Sequence, residues 1–216
     1  MNASLSSFNK LSNYIREKAI RAIQQKRPQS QLAKWRQLLT AIWETEEAMH
    51  RVRCSLKLLK TIPPKETLNM FSMSQGAWID YQYTTWSLWA LSLLNKEIEL
   101  VSQVCQKLIK PSNPQYKEIE RPLVKSLVSQ KDKVGKVRHP LAHTGKGGIT
   151  ESIMKTDLWP NFAIIPSPVD FNEILSSLVP YHMKWHYFLD QISNAIFAEI
   201  EQICEKLNQH IDWNNI

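Results

Sequence analysis

The chain has 216 residues, 43% of them hydrophobic, with 27 basic and 20 acidic side chains for a net charge of +7. That length holds one domain with at most a modest extension, and eight tryptophans give it apolar area for a substantial core. Three distant cysteines (Cys54, Cys105, Cys204) with no CxxC argue against a zinc ribbon or thioredoxin-like chemistry, and the lack of an eighteen-residue apolar run argues against a membrane span.

In chain order, residues 4 to 25 space Phe8, Leu11, Ile15, Ala19, Ala22 and Ile23 at intervals of three and four, which predicts an amphipathic helix stopped by Pro28. The other side of this helix is basic. Residues 1–38 hold eight lysines and arginines against the single acid Glu17, a bias that favours an anionic partner such as nucleic acid. A second helix is expected from Ser30 to about Lys60 on Leu32, Trp35, Leu39, Ile42, Met49, Leu56 and Leu59, ended by Pro63-Pro64. A linker to Ser72 precedes an aromatic helix over 73–109. Its stripe runs through Ile79, Tyr83, Trp86, Ala90, Leu93, Val101, Val104 and Leu108, broadened by Trp89 and Leu94. A turn at Pro111–Pro114 leads into a fourth helix from about Lys117 to Lys133 on Ile119, Leu123 and Leu127, with Val134 a further candidate for its stripe.

Residues 149–168 read as irregular, with AIIPSP a candidate extended segment. Ser167-Pro168 or Asp170-x-x-Glu173 would cap a last helix reaching about Ile211 on Leu175, Leu178, His182, Trp185, Leu189, Ile192, Ile196, Ile203 and Leu207. The pattern predicts an all-α fold: an up-and-down bundle of about four long helices over 30–216, with a basic N-terminal helix over 1–29 added to it. The cysteines fall in apolar stripes, so buried free thiols are expected. With no apolar core to a leader at the N-terminus, they predict a cytoplasmic protein.

Between Lys131 and Gly148 the composition changes. KDKVGKVRHPLAHTGKGG holds four of the five glycines, five basic residues against Asp132, and His139 and His143 behind Arg138. Histidine exchanges protons near neutrality, and arginine offers a fork of donors matched to phosphate oxygens. Together they suit chemistry at a phosphodiester. In a regular helix, Arg138 and His143 would not share a face. Pro140 is the residue expected to kink or break the backbone and bring them together. Gly145, Gly147 and Gly148 would let the backbone approach a ligand closely.

VGKVRHPLAHTG resembles the mark of the HEPN superfamily (higher eukaryotes and prokaryotes nucleotide-binding domains), which is arginine, four to six residues, then histidine, after a hydrophobic helix in an α-helical bundle. The match falls on Arg138, His139 and His143. The resemblance implies an endoribonuclease that needs neither metal nor cofactor. In that family a 2′-hydroxyl attacks the adjacent phosphate and leaves a 2′,3′-cyclic phosphate and a 5′-hydroxyl. It implies Arg138 and His143 as catalytic residues and His139 as their polar support. It also implies a homodimer whose two motifs line one cleft, since cleavage needs an acid and a base together. Lys131, Lys133, Lys136 and Lys146 are the expected RNA-binding residues. A toxin or defence effector paired with an antitoxin or regulatory protein belongs to the same expectation. Gly145 stands where nucleotidyltransferase-controlled toxins carry a tyrosine, so that form of control is not expected.

Other readings compete. Arg138 and His143 would also suit a helix end at which histidine caps backbone carbonyls. His182 and His186 repeat the H-x-x-x-H spacing, yet His182 falls on the apolar stripe and fits a hydrogen-bonded core histidine better than a metal ligand. Glu47-Ala-Met-His50 lacks the second Glu-x-x-His of a di-iron bundle, and TGKGG lacks the first glycine and the ending of a P-loop. The main rival is a non-enzymatic helical module holding RNA or a protein through the basic N-terminal face.

Overall fold

The computed structural model describes residues 5–144 and 182–213, and their side chains except at positions 80, 136–144, 182, 184 and 185. The irregular segment, the AIIPSP stretch, both caps proposed for the last helix, and Leu175 and Leu178 lie outside the described residues. The described residues form six α-helices and no strand: α1 (Ser6–Gln24), α2 (Gln29–Lys60), α3 (Lys65–Asn69), α4 (Gln75–Val104), α5 (Tyr116–Thr144) and α6 (His182–His210). The fold is all-α. Four of these helices are long, and α4 runs on into one π-helical turn over Cys105–Ile109, where the Lys110 amide donates to the Cys105 carbonyl at 2.8 Å.

The helices divide between two compact units, one of Met1–His50, Ser92–Lys131 and Ser193–Ile216, the other of Arg51–Leu91 and Asp132–Ile192. In the first unit, α1 buries Phe8, Leu11, Ile15, Ala19 and Ala22 as its spacing predicts. Ile23 departs from that stripe and is 63% exposed. Ser12 is buried instead, and its hydroxyl donates to Glu46 at 3.0 Å. The helix stops on a non-glycine left-handed residue, Lys26 at φ 50°. There the Lys26 amide donates to Ile23 and the Arg27 amide to Ala22, at 3.0 and 3.1 Å, closing the last turn. Pro28 then supplies the carbonyl that accepts the Gln31 and Leu32 amides in the first turn of α2.

Polar contacts set the directions of the helices in this unit. Ser12 and Arg16 meet Glu46 while Ala22 lies beside Trp35, so α1 and α2 run oppositely. Lys96 pairs with Glu44 at 2.7 Å and Lys107 with Gln37, so α2 and α4 do the same. Ser102 donates to Glu120 at 2.7 Å across the short α4–α5 connection, and Ser126 bonds Glu199 between α5 and α6. Leu38, Leu93, Leu94, Leu100, Leu108, Leu127, Ile200 and Leu207 fill the interior with no exposed surface. Burial stabilises each such side chain by roughly 1.5–3 kcal/mol. The expected Leu39 is only half-buried, and its neighbour Leu38 takes the core position.

The N-terminus of α1 has no capping side chain of its own, because Leu5 occupies the cap position. Glu201 of α6 serves instead. Its carboxylate accepts the Ser7 amide at 2.7 Å, the Phe8 amide at 3.3 Å and the Ser6 hydroxyl at 2.8 Å. Burial alone would raise its pKa, but the donors from Ser7, Ser6 and Phe8 outweigh burial and lower it.

The second unit buries Val52, Leu56, Leu59, Leu68, Ile79, Tyr83, Trp86 and Ala90. The segment read as linker contains α3, which starts behind Pro64; a second left-handed residue, Ser72 at φ 52°, follows three positions after its end. Trp89 is half-buried beneath the Arg51 guanidinium, which lies 4.0 Å from its ring.

Candidate functional site

The sequence places the end of the fourth helix near Lys133 and expects a kink or break at Pro140. The structure moves the helix end and shows no break, because α5 continues from Tyr116 through Gly135 and Pro140 to Thr144. Packing explains the first part of the extension: the buried positions Leu123 and Leu127 continue to Val134, which is also fully buried. Gly135 permits no close approach here, since a Cβ built on it would have nothing within 4 Å. Proline at 140 removes one amide from the helical ladder, and the helix continues for four more residues despite that loss.

Arg138, His139 and His143 therefore share one helical segment. On an α-helix, positions 138 and 143 are separated by about 140° beyond one turn, whereas 139 and 143 are one turn apart on one face. The side chains of these three residues, and that of Lys136, lie outside those described, as does Lys146 entirely. Of the other expected RNA contacts, Lys133 is exposed and Lys131 half-buried. His186 is half-buried near the start of α6. Among the described residues no three His, Cys, Asp or Glu side chains cluster to hold a metal ion. Glu47 and His50 do not gain a third ligand there. Among the described residues no helix is long and apolar enough to cross a membrane.

A second candidate lies in the first unit, where the C-terminal half of α1 meets the start of α2. A cleft of about 440 Å³ opens there, lined by Lys18, Arg21, Arg27, Lys34 and Trp35 among others. No carboxylate is among its lining residues. Arg21 makes a loose pair with Glu17 at 3.8 Å, in which both side chains are well exposed. The Lys34 ammonium rides over the Trp35 ring at 5.0 Å. Burial, then Lys107 and Lys18, lower the Lys34 pKa. The sequence shows these cations as one basic face. Their convergence comes from the turn at Lys26–Pro28, which folds α1 back on α2.

A buried acid completes the inventory. Glu97 is fully buried in the first unit, facing Cys204 with Sγ 3.8 Å from Oε1, and its Oε2 has no hydrogen-bond partner. Burial pushes its pKa up to about 8, only partly offset by the thiol. Burial, then Glu97 and Glu201, raise Cys204 well above the ordinary thiol range, while burial followed by Glu120 pushes Cys105 up to about 12. Both thiols are neutral and poorly nucleophilic at pH 7. The third cysteine, Cys54, is half-buried. The sequence carries a signal for Glu97 that the apolar reading passes over: an acid set between Leu93 and Val101 on a helical stripe.

No family model, curated protein or solved structure matches this chain.

Proposed function

We propose that this protein is a metal-independent endoribonuclease of HEPN type, acting as a homodimeric toxin or defence effector. One observation carries the reading: Arg138, His139 and His143 sit within six consecutive positions of a single helix in an all-α chain. In the proposed reaction the base form of a histidine at 143 takes the proton of the RNA 2′-hydroxyl. Arg138 holds the charge that builds on the phosphate oxygens. The protonated form of a second histidine returns a proton to the departing 5′-oxygen.

A continuous α5 gives the two-fold arrangement its rationale. One helix sets 138 and 143 on different sides, so pairing α5 with that of a second copy supplies acid, base and arginine to one cleft. His139, one turn from His143, supports it. Exposed Lys133 lies on the same helix, where RNA phosphates would pass.

The test is RNA cleavage in excess EDTA by wild type, His143→Ala and Arg138→Ala, each checked for equal helicity. Cleavage by the wild type alone, leaving 2′,3′-cyclic phosphate ends, is the expected result. Equal cutting by the variants, or RNA binding without cutting by the wild type, overturns the assignment. The second outcome would favour the rival binding module, to which the basic lining of the α1–α2 cleft lends support.

A further inference from the structure

We infer that the cleft between α1 and α2 is a binding site for linked phosphate groups, as in an inorganic oligophosphate or the tail of a nucleoside triphosphate. The inference is independent of the reaction proposed for α5. Three features of the cleft support it.

The first is shape. About 440 Å³ of concave space matches a small ligand, since such pockets span roughly 300–1,000 Å³. The second is charge. Lys18, Arg21, Arg27 and Lys34 all line that space, and Lys107 stands close enough to act on Lys34. Two arginine forks and two lysine point charges form a donor set matched to several phosphate oxygens at once. The pair that Arg21 makes with Glu17 is long at 3.8 Å and well exposed, and compensates little of the Arg21 charge. Like charges crowded around a half-buried lysine cost folding free energy, and a bound polyanion relieves that cost. The third is the aromatic. Trp35 is buried and its ring is covered by the Lys34 ammonium, so it is not open as a platform for a stacked base. The cleft is therefore equipped to recognise phosphates and not the base attached to them.

Calorimetric titration of the full chain at low salt tests this, using tripolyphosphate, ATP and a single-stranded RNA twelve-mer as separate probes. The Arg21→Gln/Lys34→Gln double variant is compared with Lys65→Gln/Lys125→Gln, which removes the same charge from exposed positions elsewhere. The expected result is tripolyphosphate binding that weakens about tenfold or more in the first variant and less than about twofold in the second. Equal affinity for ATP identifies the phosphates alone as the ligand. Affinity for ATP about tenfold tighter would mean that the nucleoside is held as well, and overturns the reading of the cleft as a site for phosphates alone. Thermal melting checks folding, and Lys34→Gln alone replaces the double variant if the latter melts early. Absence of binding at millimolar tripolyphosphate, equal weakening in both variants, or RNA binding that tripolyphosphate does not displace each overturns the inference.

Discussion

Glu97 makes the stability of this protein depend on pH in a direction opposite to that of most carboxylates. Its folded-state pKa is raised to about 8 from an ordinary 4.5, with burial the main cause. Below 4.5 both folded and unfolded chains hold the proton, and this group contributes no pH dependence. Above 4.5 the unfolded chain releases a proton that the folded chain retains, so stability falls as pH rises until the folded carboxyl itself ionises near 8. At about 1.4 kcal/mol per pH unit, the full interval is worth roughly 5 kcal/mol, a large share of the ~5–15 kcal/mol of a typical domain. Between pH 5.5 and 7.5 the wild type should lose roughly 2.7 kcal/mol relative to Glu97→Gln, which cannot titrate. Urea unfolding followed by circular dichroism at these two pH values measures the difference. Parallel losses in the two proteins would falsify the assignment of a buried, protonated acid. Because Oε2 lacks a partner, Glu97→Leu should in addition be more stable than wild type at pH 8.

Replacing Glu201 with Gln removes the charge that holds the first amides of α1 and should cost roughly 1–2 kcal/mol at pH 7. Its lowered pKa places that stability above the ordinary carboxylate range and removes it as pH falls, so the difference in melting between wild type and variant should be smaller at pH 3 than at pH 7. Lys26→Gly relieves a left-handed non-glycine residue and should raise stability by about 1 kcal/mol. Gly135→Ala, with open space around the added carbon, should gain about as much from helix propensity, and a fall in melting temperature in either variant contradicts the geometry described.

What the sequence discloses is what local chemistry controls. The spacing of Phe8, Leu11 and Ile15, or of Tyr83, Trp86 and Ala90, names the buried faces because a helix presents one side every three or four residues, and those residues are buried. The proline pairs and the turn at Pro111–Pro114 mark the ends of helices for equally local reasons. The same logic fails at α5, where Gly135 and Pro140 signal a break and the helix continues. Breaker residues set only a local cost, and the buried Val134 shows that packing holds the helix as far as Gly135. Long-range partners were not legible at all. Nothing near Glu201 announces that it caps a helix almost two hundred residues away, and nothing near Lys34 announces Arg21 across a cleft. The Arg138–His143 motif was legible as composition and spacing, but its geometry depends on whether Pro140 bends the chain, which spacing cannot decide.

The capping of α1 by Glu201 also sets a schedule for the ribosome. Ser7 and its acceptor are separated by 194 residues, and at roughly 5–20 residues per second that distance takes about 10–40 s to synthesise. Through that interval the stripe of Phe8, Leu11 and Ile15 has emerged while α6 is still unmade. The nascent chain thus presents a short, basic, amphipathic segment to the first chaperone or anionic surface it meets. Slowing translation ahead of codon 201 lengthens that exposure, and speeding it shortens it, without altering a single contact of the finished fold.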